Sequence, residues 1–342
     1  MKLRPSVPAR IPNSMPEITD LPPGLIESAL TVEHFRDGRY FNPGVTEHGF
    51  RTAMKWMLNR KIGPWRRWVE STPGPKPPTQ VEGAGLRVTF INHSTVLLQT
   101  EELNILTDPV WSERVSPVRF MGPRRHRAPG IRFEDLPPIH CLLISHNHYD
   151  HFDVPSLKRL AANHQPVVFC PLGLGGPLRR IGFGEVHQLD WWQTEAWQNR
   201  RVHCIPAQHF SARTPFDRNR TLWGGWAIES EHGNIYFAGD TGFCDVFAEV
   251  GKRLSPIRLA LLPIGAYEPE WFMGPIHMTP EQAVDARSLL HASFAMAIHF
   301  GTFALADDGE TAPADRLQRA LQERGDSGRF WILEEGEGRL VP

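Results

Sequence analysis

From Leu86 onward, apolar residues arrive in short runs rich in Val, Ile, Leu and aromatic side chains, each closed by polar residues, glycine or proline. That pattern predicts strands. LRVTFI (86–91) and STVLLQT (94–100) read as a hairpin-like pair, and NILTDP follows as a further short strand. CLLIS (141–145), PVVFC (166–170), RVHCIPA (201–207), LWGGWAIES (222–230), NIYFAGD (234–240), IRLALLPIG (257–265), FAMAIHF (294–300) and RFWILEE (329–335) are the other candidates. Helical segments lie between them. The clearest is TPEQAVDARSLLHA, where Thr279 suits the N-cap and Pro280 the first helical position. Strands that first follow one another and then alternate with helices predict a layered α/β domain.

Residues 1–80 lack this rhythm. They carry Pro22-Pro23 and the run STPGPKPP at 71–78, and read as an N-terminal extension packing on or near a catalytic domain over 81–342. Within the extension, residues 50–70 hold Lys or Arg at 51, 55, 60, 61, 66 and 67 and Trp at 56, 65 and 68. Pro64 should divide a helix from a second short piece. The extension has no apolar core of signal-peptide length, and no later run reaches the ~18 apolar residues of a membrane span. The expected location is cytoplasmic. Residues 50–70 leave two arrangements open: a basic, Trp-bearing contact with a membrane surface, or a helix whose tryptophans pack on the core.

Composition narrows the class. With 41% apolar and 22% charged residues in 342, the chain is a soluble globular protein by composition. A net charge of −1 gives no bulk basic excess, so no nucleic-acid partner is expected. Cys141, Cys170 and Cys204 lie in strand-like runs, and no C-x-x-C pair occurs, which favours buried reduced thiols.

The chemistry concentrates in SHNHYDH, 145–151. The segment leaves the buried run CLLIS, so a sheet should fix its base while its side chains converge. His146, His148, Asp150 and His151 supply imidazole and carboxylate donors that suit zinc, manganese or iron. One loop cannot close two metal sites. His209 after RVHCIPA, Asp240 closing NIYFAGD and His299 closing FAMAIHF each stand at a strand end, and with the first loop they make seven ligand candidates. His93 in INHST and Asp108 in LTDP leave strands toward the same side, and Asp108 suits a carboxylate that orients a ligating histidine. Arg124, Arg125 and Arg127 form a basic cluster that reads equally as a solvated face or as a phosphate attractor.

In that ligand order the chain resembles the metallo-β-lactamase superfamily, and more narrowly the phospholipases D that hydrolyse N-acylphosphatidylethanolamine and their bacterial relatives. The resemblance runs from about Leu86 to Val341. LTDPVWSERVSPVRFMGPRRHR, LISHNHYDHFD, PAQHFSART, YFAGDTGFCDVF, PIGAYEPEWFMGPIHMTPEQAV and AIHFGTFALA are among the blocks that carry it. It implies a four-layer αββα sandwich with two mixed sheets and the metal site at strand ends. It implies two divalent metal ions, zinc foremost and manganese or iron as alternatives. His146, His148 and His209 would hold one, Asp150, His151 and His299 the other, with Asp240 bridging. His277 matches a family position near the substrate phosphate, where it would stabilise the phosphoryl oxygens or protonate the leaving group. The expected activity is phosphodiester hydrolysis of a phospholipid through a metal-bridging hydroxide. A lactonase or amide hydrolase on the same dinuclear site is the competing expectation, because one such geometry serves many substrates.

Overall fold

A computed structural model describes residues 34–46, 48–118, 120–326 and 328–342. The proline-rich reading of the first 33 residues falls outside them. The chain opens with a small hairpin, β1 (Phe35–Arg36) and β2 (Arg39–Tyr40), followed by the helix α1 (Phe50–Leu58). The first large sheet holds β3 (Leu86–Asn92), β4 (Thr95–Thr100), β5 (Leu103–Thr107), β6 (Cys141–Leu143), β7 (Val167–Pro171) and β8 (Val186–Leu189). The second holds β9 (Thr194–Trp197), β10 (Arg200–Ile205), β11 (Gly225–Ile228), β12 (Asn234–Phe237), β13 (Ile257–Pro263), β14 (Phe294–Ile298) and β15 (Phe330–Trp331). The strand β16 (Gly338–Val341) returns to the first sheet beside β3.

Each sheet is antiparallel at one end and parallel at the other. β3–β4–β5 pair antiparallel and β5–β6–β7–β8 parallel. In the second sheet β9 to β12 are antiparallel and β12 to β15 parallel. The period of two along each strand then builds the layers. Val96, Leu98, Cys141 and Leu143 face the second sheet and meet Val202, Trp226, Phe237, Leu261 and Ile298 in a central core. Leu97, Leu106 and Leu142 face outward onto α2 (Val154–Asn163) and α3 (Gly175–Ile181). On the other side Tyr236, Ala260 and Leu262 are covered by α4 (Val246–Leu254), α6 (Pro280–Leu289) and α7 (Ala312–Glu323). A further short helix, α5 (Glu270–Met273), follows β13. The result is the expected αββα sandwich. Cys141, Cys170 and Cys204 are buried free thiols.

The differences from expectation have local causes. β8, β9 and β16 are edge strands of four residues each, and VHQL, TEAW and GRLV carry no apolar run. The strand in CLLIS stops at Leu143, because Ser145 turns its N–H to Asp108 Oδ1 (2.8 Å). Beyond Pro64 the chain stays extended and makes one bridge, Val69 to Arg127. The arginine cluster divides: Arg124 is exposed and pairs with Glu113 (2.6 Å), while Arg125 and Arg127 are withdrawn from solvent. Arg125 is buried and donates to the carbonyls of Ser112 and Val110 (2.9 and 3.1 Å), and Arg127 spans Glu310 and Glu335 (2.7 and 2.8 Å).

Residues 59–78 run along the sandwich. Arg60 Nη2 donates to Ala306 O (2.7 Å), Trp65 Nε1 to Asp308 O (2.9 Å), Gly63 N to Asp307 O (2.8 Å) and Gly74 N to Gly130 O (2.7 Å). Gly74, Gly130 and Gly336 cross so closely that a Cβ on Gly74 or Gly130 would collide with the Gly336 backbone.

Candidate metal centre

Loops leaving the C-terminal ends of strands of both sheets meet at one end of the sandwich. The β6 loop brings His146, His148, Asp150 and His151. His209 follows β10, Asp240 follows β12 and His299 follows β14. All are buried except His148, which is partly so. Asp240 enters the site only because Gly239 takes φ +62°, where a Cβ would lie 2.8 Å from Ser145 Cβ and 3.0 Å from Gly224 O. His93, Asp108 and His299 themselves sit at positive φ (48°, 28° and 61°), strain that the surrounding packing holds in place.

The hydrogen bonds on the outer nitrogens settle the tautomers. Asp108 Oδ2 accepts from His151 Nδ1 (2.7 Å) and from Ser145 Oγ (2.5 Å). Ser145 Oγ, having donated there, accepts from His146 Nδ1 (2.8 Å). His209 Nδ1 donates to Ile276 O (3.0 Å). In the neutral tautomers these bonds select, the Nε2 of each ring is the lone-pair nitrogen and faces the cluster. His148 turns its Nδ1 inward, 2.8 Å from His146 Nε2 and 3.2 Å from His209 Nε2. A second group forms where Asp150 Oδ2 lies 3.2 Å from His151 Nε2 and 3.5 Å from His299 Nε2. Asp240 Oδ2 stands between the two groups, 3.1 Å from the Nε2 atoms of both His151 and His299, 3.8 Å from that of His209 and 4.0 Å from that of His146.

These donor atoms fit divalent metal. Tetrahedral ligands about 2.0–2.1 Å from an ion stand roughly 3.3–3.4 Å from one another, close to the spacings within each group. Asp240 Oδ1, His151 Nε2 and His299 Nε2 are buried without a hydrogen-bond partner among the described residues. Such atoms cost ~1–3 kcal/mol each if nothing meets them.

Electrostatics agree. Burial opposes charge on Asp240 and Asp150, but the facing imidazoles outweigh it and hold both well below the usual carboxylate range. Burial pulls His151 and His299 down, yet Asp240 and Asp150 raise them, His299 to about 9. Burial and neighbouring imidazoles keep His146 and His209 well below their ordinary value.

His93 and Asp108 both touch cluster members. Asp108 orients His151, and His93 Nε2 donates to Asp150 Oδ2 (2.9 Å). His277 is buried with its ring 5.0 Å from that of His209 and 5.3 Å from that of His299. Burial, only partly offset by Asp240, pushes it down to about 3, so its ring is neutral.

Other residues escaped sequence reading. Ser145 was within reach, since it directly precedes His146. Thr302 Oγ1 accepts from His93 N (3.0 Å), and Asn42 Nδ2 donates to His209 O (2.7 Å). Neither of these has a local sequence signal, because each partner is remote along the chain. His48 stacks on Phe272 with ring centroids 5.0 Å apart and lines the cavity above the cluster.

That cavity measures about 340 Å³. His148, Asp150, His209, Asp240, His277 and His299 line it at the cluster, and Trp56, Phe272, Met273, Ile276 and Leu305 give it an apolar wall.

Comparison with known proteins places these features. Residues 103–300 match the beta-lactamase superfamily domain. The N-acyl-phosphatidylethanolamine-hydrolyzing phospholipase D 1 of Caenorhabditis elegans is 40% identical over 268 residues, covering 74% of this chain and 75% of that protein. The mitochondrial N-acyl-phosphatidylethanolamine-hydrolyzing phospholipase D of Saccharomyces cerevisiae is 32% identical over 257 residues, covering 73% of this chain and 54% of that one. Among solved structures, the metallo hydrolase Igni18 from Ignicoccus hospitalis superposes with a TM-score of 0.58 at 20% identity, over 76% of this chain and 99% of its own, a likeness of fold alone.

Proposed function

The chain belongs to the β-lactamase superfamily of metal-dependent hydrolases, within the family of the N-acyl-phosphatidylethanolamine-hydrolysing phospholipases D, and from that premise we propose that it is a phosphodiesterase cleaving N-acylphosphatidylethanolamine-like phospholipids. The carrying observation is the joining of a two-group donor cluster, with Asp240 Oδ2 between the groups, to a largely apolar cavity. In this reading His146, His148 and His209 would hold one divalent ion and Asp150, His151 and His299 a second, with Asp240 shared between them. Zinc is the first expectation. Two such ions supply an activated water and hold phosphoryl oxygens.

The remaining steps belong to the chain's own side chains. Asp240 and Asp150 offset the cationic charge. Asp108 keeps the His151 lone pair pointed inward, and His93 holds Asp150. His277, its ring beside those of His209 and His299, would stabilise a phosphoryl oxygen or protonate the leaving group. The apolar wall from Trp56 to Leu305 seats hydrocarbon next to the phosphate and excludes water.

The test is hydrolysis of a defined panel by metal-analysed protein: N-acylphosphatidylethanolamine, phosphatidylcholine, a cyclic nucleotide and a lactone. Turnover should be greatest on the first, with phosphatidic acid and N-acylethanolamine as products. Lactone turnover without phosphodiester turnover would replace this reading with the lactonase alternative.

A further inference from the structure

The cavity above the cluster is lined by charge of both signs, unevenly placed. Asp150 and Asp240 are its carboxylates among the described residues, and both belong to the donor set. Arg218 is the one lysine or arginine among the described lining residues. It lies half-buried on the loop between β10 and β11, with its guanidinium carbon 4.1 Å from the centre of the Phe210 ring. Phe210 in turn meets His148 edge to face, with ring centroids 4.5 Å apart. The N-terminal hairpin fixes this part of the loop. Arg39 donates to the carbonyl of Arg218, and Tyr40 N donates to Asn219 O (2.8 Å). Asp217 Oδ1 accepts from the backbone N–H groups of Arg213 and Thr214 (3.0 and 2.7 Å). Arg218 therefore reaches into the cavity from a fixed backbone.

A guanidinium offers five N–H donors, no acceptor and a charge that does not titrate. A substrate group placed against it has to bring an oxygen and no positive charge. The aromatic wall does not offer a cation an alternative. Phe210 already carries Arg218 on its ring, and Trp56 carries Arg60 at 4.7 Å and stacks on Phe272. Phe272 is stacked with His48 as well. Rings engaged in this way do not form the open aromatic cage that receives a quaternary ammonium. An amine capped as an amide meets both conditions, because the cap removes the charge and adds a carbonyl oxygen. Two divalent ions in the cluster would add positive charge on the same side and sharpen the discrimination.

We propose that Arg218 reads the headgroup: it donates to the amide oxygen of an N-acylated amine and excludes the trimethylammonium of choline and the free ammonium of ethanolamine. The assignment rests on the phosphodiester reading for its substrates, but the two fail separately. Metal-loaded full-length protein and its Arg218→Gln, Arg218→Lys and Arg218→Glu variants are assayed on N-acylphosphatidylethanolamine, phosphatidylethanolamine and phosphatidylcholine of matched chains in one detergent. Arg218→Gln should lower kcat/KM on the N-acylated lipid about ten- to a hundredfold, mostly through KM, with no loss on the other two. Arg218→Glu should raise turnover of both cationic headgroups. Arg218→Lys keeps the charge without the planar fork, so it should still exclude choline while recovering only part of the loss. Unchanged metal content reports that the fold is kept. Calorimetric binding of the water-soluble glycerophospho-N-acetylethanolamine and glycerophosphocholine repeats the comparison without relying on hydrolysis. An equal loss on all three lipids overturns the assignment, because Arg218 would then hold the phosphate they share. A preference that ignores both Arg218→Gln and Arg218→Glu overturns it too. Hydrolysis of none of the lipids, together with an Arg218-dependent difference between the two headgroup affinities, would uphold the residue's role and reject the phosphodiester reading.

Discussion

At the scale of single residues, the proposed function separates buried groups that would hold cation from groups that would act on substrate. Asp240→Ala should cost both metal and turnover, because its carboxylate is shared between the two donor groups; retention of two ions per chain by elemental analysis would contradict the bridge. Asp108→Ala should lower metal affinity by ~10–100-fold, since His151 loses the acceptor that fixes its tautomer, and competition with a chelator measures it. His277→Ala should leave metal content intact and lower turnover by ~10²–10⁴-fold; loss of metal would make it a ligand instead. Protons should compete with cation. His299 stands at about 9 in the metal-free chain, despite burial, because Asp240 and Asp150 face it. Filling the site at neutral pH therefore expels a proton, and affinity should fall as pH falls. The same raised value stabilises the metal-free fold below the ordinary histidine range, and that contribution is lost as pH rises through about 9. Thermal unfolding of chelated protein should show the decline over that window, with added metal reversing it.

At the scale of elements, legibility followed the length and composition of each run. The buried strands were readable because both faces are apolar, as in Ile257–Pro263. The edge strands β8, β9 and β16 were not, because hydrogen bonding to one neighbour, rather than an apolar face, defines them. The helix after His277 was readable from its first residues. Thr279 Oγ1 accepts from Gln282 N (3.3 Å) and Gln282 Oε1 accepts from Thr279 N (2.9 Å), a reciprocal cap, with Pro280 at the first position. Thr279→Ala should cost ~0.5–2 kcal/mol by urea denaturation. Its effect on turnover should track how far His277 shifts, since Met278 N is also tied to Thr241 O (3.0 Å). The seven candidate ligands were legible because each stands where a strand ends. Asn42 and Thr302 were not, because their roles exist only after the sandwich has closed.

At the scale of the whole molecule, the N-terminal segment and the sandwich share one site. Asn42 supports the backbone of His209, Trp56 forms cavity wall, and residues 59–78 are tied down at several carbonyls. We expect a chain lacking residues 34–80 to lose turnover and stability together. Restoration of full turnover in such a chain would show the segment to be dispensable. A narrower test is Gly74→Val. The new side chain would meet the Gly336 backbone, and overpacking of this kind costs ~1–3 kcal/mol or more, with the metal ligands untouched.

The division of the donors between two sheets also gives the molecule a clock. The loop with His146, His148, Asp150 and His151 is made first, yet neither of its groups is complete on its own. As the chain leaves the ribosome, the group finished by His209 can close before the one finished by His299, and Asp240 emerges between the two. Under the proposed reading, the donors of both groups are all present only once synthesis has passed β14, and the first sheet is complete only with β16.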